Sequence, residues 1–166
     1  MVIVRHIILA VLVGTIGIGG ALGCSPGEEK RVRKQFTLLA KWVSKDTEET
    51  TFAMADKAQK IGRLFAKDCG FEARVISLSG RYGREEITSY AAQARFQFSR
   101  LSLRFYDLEI DFPEKGTAET TLTARVTGTL KSGERVDEIH ELKSVLKRTD
   151  NGWVFSDFEV VEVLEK

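Results

Sequence analysis

The sequence predicts an α+β domain in which three N-terminal helices pack on a curved, mostly antiparallel sheet. Before Ser99, apolar residues recur every three or four positions, which is the helical repeat. After Ser99 the repeat changes to two, the spacing of strands that bury one face. The predicted order is α-α-β-α-β-β-β-β, and segregation of helices from a run of strands is typical of the α+β class.

An apolar leader precedes this domain. Arg5 and His6 come before an apolar stretch over residues 7–22, which ends at Gly23 and Cys24. A short basic start, an apolar core and small residues at the cut are typical of a secretory signal. The stretch is roughly 16 residues long, whereas a membrane span needs about 20. The sequence Ala-Leu-Gly-Cys over 21–24 resembles the lipobox of bacterial lipoproteins, in which the cysteine is lipidated and begins the mature protein.

This resemblance sets the predicted organisation of the chain. Residues 1–23 are a lipoprotein signal peptide, 24–29 a tether and 30–166 the folded domain. Cys24 is the lipid attachment residue, and the protein is exported to the periplasmic side of a bacterial membrane. A retained inner-membrane anchor and an ordinary cleaved signal are the alternative interpretations of the leader.

The remaining composition narrows the classes of function. Once Arg5 has left with the signal, 24 basic residues face 24 acidic ones, and this balance argues against a nucleic-acid surface. His140 is the one histidine outside the leader and no Cys-x-x-Cys is present, so we expect no metal or cofactor. Cys69 is expected to be a small buried residue at a helix end, with a reactive thiol as the alternative.

The predicted helices follow from apolar spacing and end signals. The apolar face of the first helix comprises Val32, Phe36, Leu39 and Val43, and that of the second comprises Met54, Ala58, Ile61 and Phe65. Asp46 with Glu49 resembles a capping box that begins the second helix, and Gly70 is its stop signal. Residues 73–79 are a short strand. The third helix opens at Gly83 and carries Ile87, Tyr90, Ala91, Ala94 and Phe98 on one face.

The strands that follow contain one irregularity and one defined turn. The alternating phase slips at Phe105-Tyr106, which predicts a bulge that bends the sheet. Gly133 suits the left-handed position of a three-residue hairpin loop, and this register pairs Leu122 with Leu142 and Ala124 with His140. The last strand spans 153–164. Its register stays open, because Phe155 and Val161 compete with Val154, Phe158 and Val160 for the buried face.

The element order resembles the cone-shaped, cystatin-like α+β fold of the nuclear transport factor 2-like superfamily. Residues 83–87 resemble the start of its third helix, and 146–155 resemble its closing hairpin with an Asn-Gly turn and a tryptophan. The resemblance covers roughly 30–164 and implies a pocket between helices and sheet. The superfamily holds isomerase-like and cyclase-like enzymes, transport factors and parts of secretion machines, so the fold does not choose a function.

Three residues are the candidates for such a pocket: Tyr90 on the third helix, with Glu138 and His140 on one strand face. Ser144 shares that strand face, and Asp157 and Glu159 join it if the last register permits. Each has a plainer interpretation, namely a core aromatic for Tyr90, a cross-strand packing residue for His140 and solvated strand positions for the carboxylates. No catalytic motif of the superfamily matches this sequence residue by residue.

Three functions remain open. The first is a membrane-tethered, noncatalytic binding or scaffold lipoprotein of the bacterial envelope. The second is a subunit of an envelope or secretion complex, and the third is a small pocket enzyme of isomerase or dehydratase type. The expected partners are the membrane through the lipid anchor, a second copy of the chain through the sheet, and an envelope protein or a small apolar ligand.

Overall fold

The computed structural model describes residues 26–46, 49–73 and 78–161. Within these residues, three helices pack on one six-stranded sheet with the strand order β2-β1-β6-β5-β4-β3. The predicted α+β architecture is therefore confirmed, with one strand more than expected. The elements are α1 (Pro26–Val43), α2 (Thr51–Arg63), β1 (Phe65–Ala73), β2 (Leu78–Gly83), α3 (Arg84–Gln97), β3 (Phe98–Glu114), β4 (Thr117–Leu130), β5 (Arg135–Thr149) and β6 (Gly152–Val161).

The first helix begins inside the segment that the sequence assigns to a tether. Proline is well suited to the first position of a helix, and Pro26 opens α1. Residues 26–29 of the predicted tether are thus the first turn of α1, and Val32, Phe36 and Leu39 bury its inner face as expected. The predicted signal peptide and Cys24 lie outside the described residues. Within those residues, no helix is long and apolar enough to cross a membrane.

The predicted boundaries of the second helix are wrong at both ends. Thr50 is the N-cap, and its hydroxyl accepts a hydrogen bond from Ala53 N at 3.2 Å. Glu49 cannot act in a capping box with Asp46, because its carboxylate pairs with Lys57 and Arg95. The helix ends at Arg63, and the next residues form a strand.

The burial pattern of strand β1 explains why the sequence predicts too late an end for the second helix. Its buried residues are Phe65, Cys69 and Ala73, spaced by four. A spacing of four fits one face of a helix and equally one face of a strand, so the pattern alone is ambiguous. Cys69 therefore lies within a strand and not at a helix end. The predicted strand over 73–79 spans the junction of β1 and β2, and residues 74–77 lie outside the described part.

The third helix begins where predicted and ends one residue early. Glu86 Oε2 accepts a hydrogen bond from Gly83 N at 2.8 Å, which satisfies a free donor at the helix start. Ile87 is buried, as expected. Phe98, which the sequence places in this helix, is the first residue of β3.

The predicted bend in β3 is present, slightly further along the strand. The register with β4 shifts between Tyr106 and Glu109, and Asp107 adopts a φ of 52° there. Arg33 of α1 donates a hydrogen bond to the carbonyl of Leu108 at 3.2 Å. The bulge thus keeps Phe105 and Ile110 both on the helix side of the sheet, where β4 pairs them with Ala124 and Thr120.

The remaining registers confirm one prediction and resolve another. Leu122 pairs with Leu142 and Ala124 with His140, and Gly133 has the expected positive φ of 94°. In β6 the register shifts at Ser156, because Leu146 pairs with Phe155 while Val145 pairs with Asp157. This bulge brings Phe155 and Phe158 onto the same face, so the two phases that compete in the sequence are both used. Residues 162–164 of the predicted strand lie outside the described part.

Candidate functional site

Aromatic packing fills the helix side of the sheet over β1 and β6. Five phenylalanine rings from α1, β1 and β6 contact one another, with ring centroids 5.1–6.2 Å apart. They are Phe36, Phe65, Phe71, Phe155 and Phe158. Edge-on and tilted contacts at such distances are the favoured geometries of aromatic pairs. The region where the resemblance implies a pocket is here part of the hydrophobic core.

Two buried hydroxyls on this face satisfy each other. Thr120 Oγ1 and Ser144 Oγ are 2.7 Å apart on the paired strands β4 and β5, and both residues are buried. Such pairing offsets the cost of burying a polar group. Ser144, which shares the predicted strand face with His140, is thus engaged in a cross-strand hydrogen bond.

Glu138 and His140 lie together on β5, as the sequence predicts. Glu138 Oε2 is 3.2 Å from His140 Nε2. The histidine side chain is 20% exposed and the glutamate side chain 61% exposed. The other ring nitrogen, Nδ1, is buried and has no hydrogen-bond partner among the described residues. An imidazole oriented by a carboxylate is a group that can exchange protons.

Tyr90 does not join this pair. Its side chain is 48% exposed, and its ring lies edge-on to Tyr82 of β2 with centroids 5.7 Å apart. Strands β1 and β6 separate β2 from β5 in the sheet. The predicted convergence of Tyr90 with Glu138 and His140 is therefore not formed, because Tyr90 packs against Tyr82 in the β1–β2 hairpin.

An open groove lies across the other face of the sheet and has a volume of about 620 Å³. Residues from all six strands line it. Six carboxylates and two basic groups give the lining a formal charge of −4, the difference between these two counts. The charged lining residues are Glu72, Arg81, Glu109, Asp111, Glu119, Lys143, Asp157 and Glu159. We call this region the outer groove.

An exposed ion pair lies at the edge of the outer groove. Arg81 Nε donates to Asp68 Oδ2 at 2.7 Å, and Arg81 Nη1 is 3.8 Å from Asp157 Oδ1. The hydrogen bond that Arg81 donates to the Asp68 carboxylate raises the pKa of Arg81. Gly70 lets the Asp157 carboxylate approach β1, because a Cβ at Gly70 would lie 2.5 Å from Asp157 Oδ1. Asp157, a candidate that depended on the last register, thus faces the outer groove and not the core.

A second groove of about 610 Å³ runs between α1 and the bulged edge strand β3. One wall comprises Arg33, Phe36, Thr37 and Ala40, and the other comprises residues 103–108. Tyr106 is 42% exposed beside this groove. The bulge in β3 therefore shapes this second groove as well as the core.

The sequence does not predict the most deeply buried charge, Arg95. Its side chain is 1% exposed, and it pairs with Glu49. A signal was available, because Ile87, Ala91 and Arg95 recur every four residues and so lie along one stripe of α3. Because arginine is usually exposed, the polarity of Arg95 argues against the buried position that this spacing indicates.

Comparison with known proteins gives a fold. No protein-family model and no curated protein sequence matches the chain. A proposed aromatic ring hydroxylase from Novosphingobium aromaticivorans aligns with a TM-score of 0.73 at 15% identity, over 86% of this chain and 93% of that one. A proposed dehydratase of the nuclear transport factor 2-like family from Streptomyces avermitilis aligns with a TM-score of 0.65 at 14% identity, over 85% and 100%.

A further solved structure that is similar to this chain has a named fold. It is a nuclear transport factor 2-like protein with a cystatin-like fold from Novosphingobium aromaticivorans, with a TM-score of 0.64 at 14% identity over 81% of this chain and 80% of that one. The resemblance predicted from the sequence is confirmed at the level of the fold. This chain therefore has the nuclear transport factor 2-like, cystatin-like α+β fold.

Proposed function

We propose that this chain is a lipid-anchored, noncatalytic binding protein of the bacterial envelope that uses the outer groove to bind a basic segment of a partner protein. The observation that carries this proposal is the contrast between the two faces of the sheet. Phenylalanine side chains fill the helix side over β1 and β6, whereas the opposite face holds an open groove with a formal charge of −4. Charge complementarity favours a partner segment rich in lysine and arginine.

The anchor is tested at Cys24. If lipidation holds the protein, Cys24→Ala abolishes palmitate labelling and leaves the protein unprocessed or soluble. Acyl chains on one cysteine bind stably when two or more are present, whereas a single chain gives only marginal binding. Labelling that persists in Cys24→Ala contradicts the lipoprotein interpretation.

The outer groove is tested with charge reversals. Glu119→Lys and Asp111→Lys place positive charges in the groove, and Glu141→Lys is a matched control on the same sheet face outside the lining. The probe is a fluorescent synthetic peptide of alternating lysine and alanine, whose binding is followed by anisotropy at low salt. We expect about threefold weaker binding for each reversal in the groove, in line with exposed ion pairs. Equal effects of all three changes would indicate non-specific attraction and contradict the groove.

The pair of Glu138 and His140 favours a second candidate, a small pocket enzyme like the proposed dehydratase that shares the fold. Such an enzyme needs space beside the imidazole on the helix side of the sheet. Val126 pairs with Glu138 and is half-buried, so Val126→Trp would fill that space. If one anilinonaphthalene dye molecule binds per chain and Val126→Trp abolishes this binding, the result favours the enzyme hypothesis over the binding-protein hypothesis. The binding protein predicts no stoichiometric dye site on this face.

A further inference from the structure

The solvent face of α1 is a stripe of lysines. Lys30, Lys34 and Lys41 are separated by four and seven residues, and all three are exposed. At 100° per residue they lie within about 40° of one another around the helix. Val32, Phe36 and Leu39, which are buried, lie on the opposite side. The stripe therefore points directly away from the core.

No ion pair neutralises this stripe within the described residues. The acidic residues of α1 are Glu28 and Glu29, and each lies at least about 100° around the helix from every lysine of the stripe. Glu28 Oε2 accepts a hydrogen bond from Trp153 Nε1 at 2.7 Å, and its Oε1 is 2.7 Å from Arg148 Nη1. Glu29 pairs with Arg33 at 2.8 Å. The lysines of the stripe thus face solvent without a carboxylate partner among the described residues.

The position of α1 along the chain brings this stripe to a membrane. Pro26, the first residue of the helix, is two residues after Cys24. Consecutive Cα atoms are about 3.8 Å apart, so the start of α1 lies at most about 8 Å from the Cα of the lipidated cysteine. The headgroup region on each side of a bilayer is about 5–8 Å thick. This step rests on the proposed anchor at Cys24.

Because α1 is attached to the sheet, the orientation of α1 at a membrane determines the orientation of the whole domain. The bonds of Glu28 to Arg148 and Trp153 tie the first turn of α1 to β5 and β6. The outer groove is unfavourable as the membrane-facing surface, because its formal charge of −4 is repelled by an anionic leaflet.

We propose that α1 lies along the membrane surface and that Lys30, Lys34 and Lys41 contact the phosphates of anionic lipid headgroups. Basic side chains near such a surface each contribute about 1 kcal/mol, which corresponds to about fivefold in affinity. The lipid supplies the attachment and the lysine stripe fixes the orientation of the domain. The outer groove then faces away from the leaflet, where a partner can reach it.

The test measures orientation in the complete lipidated protein. A bimane label is placed at Thr37→Cys, which is exposed on α1, and at Ser132→Cys, in the β4–β5 loop. Cys69 is buried and does not take the label in the folded protein. Vesicles of phosphatidylethanolamine and phosphatidylglycerol carry a nickel chelate on the headgroup as quencher. We expect strong quenching at Thr37→Cys and little at Ser132→Cys.

Two comparisons isolate the lysine stripe. Replacing Lys30, Lys34 and Lys41 by glutamine, or replacing phosphatidylglycerol by phosphatidylcholine, is expected to reduce quenching at Thr37→Cys to the level at Ser132→Cys. The matched control replaces Lys67, Lys115 and Lys131, which are exposed and lie outside the outer groove, by glutamine and keeps the quenching. If the protein is anchored and the two labels are quenched equally, the orientation is overturned while the anchor stands. A protein that does not co-sediment with vesicles refutes the anchor, and the orientation with it.

Discussion

Arg95 and Lys45 close the ends of two neighbouring helices in a reciprocal arrangement. Arg95, in the last turn of α3, donates hydrogen bonds to the carbonyls of Trp42, Val43 and Ser44 at the end of α1. Lys45 follows α1, and its Nζ donates to the carbonyls of Arg95 at 3.1 Å and Phe98 at 2.7 Å. The last carbonyls of a helix lack partners within it, so each cation satisfies the end of the other's helix.

The buried guanidinium leads to the first prediction. Arg95→Met removes a charge that Glu49 and three carbonyls require, and it leaves Glu49 in the interior with Lys57 as its remaining partner. Breaking a buried ion pair costs about 3–5 kcal/mol, so we expect a loss of this size in the free energy of unfolding by urea. Arg100→Met is the control, because Arg100 is exposed and should change stability by less than about 0.5 kcal/mol. Similar losses in both variants would contradict a special role for Arg95.

The second prediction concerns the pH dependence that Glu49 contributes. Burial acts to raise the pKa of Glu49, but its hydrogen bonds from Lys57 and Arg95 outweigh it, so the pKa lies below its ordinary value of 4.5. A lowered carboxylate pKa adds stability above the unfolded value, and this contribution is lost as the pH falls through the folded value. The unfolding free energy of the wild type should therefore decrease as the pH falls below 4.5.

Comparison with Glu49→Gln isolates this effect from the other acidic groups. The variant keeps the shape of the side chain and removes its titration. It should be less stable than the wild type at neutral pH, and the difference should shrink as the pH is lowered through the acid range. A difference that stays constant down to the acid limit would show that the carboxylate charge does not stabilise the fold.

The sequence predicts regular elements well and polar contacts poorly. The hairpin of β4 and β5 follows from one glycine and two alternating faces, and its register is as predicted. The end of α2 cannot be read from Phe65 and Cys69, because their spacing suits both a helix and a strand. The reciprocal pair of Lys45 and Arg95 joins residues 50 apart in the chain, and no local pattern encodes such a contact.

The candidate site shows the same limit. Glu138 and His140 are two residues apart on one strand, so their contact follows from the alternation of side chains. The outer groove gathers residues from six strands and depends on the curvature of the whole sheet. Periodicity identifies which residues share a face, but it does not give the curvature that makes the face a groove.

The third prediction concerns Cys69. Burial raises the pKa of its thiol to about 12, with a smaller contribution from Asp157. The thiolate is the reactive form, so maleimide should label Cys69 only after denaturation. Cys69→Ala should lower the unfolding free energy by about 1 kcal/mol, as a small cavity does. Rapid labelling of the folded protein would instead support the reactive thiol that the sequence left open.

The last prediction concerns the bulge in β3. Asp107 has a φ of 52°, in the left-handed region that costs a residue with a β-carbon about 1–2 kcal/mol. Aspartate tolerates this region better than a β-branched residue does. Asp107→Val should therefore lower the urea midpoint by an amount equivalent to about 1–2 kcal/mol, whereas Asp107→Gly should be close to neutral.

Glu109→Val is the control, because Glu109 is exposed on the same strand in the regular ladder opposite Thr121. Valine is favoured in strands, so this control should be neutral or slightly stabilising. If Asp107→Val and Glu109→Val behave alike, the backbone at residue 107 is not held in the left-handed region. The bend that shapes both faces of the sheet would then need another cause.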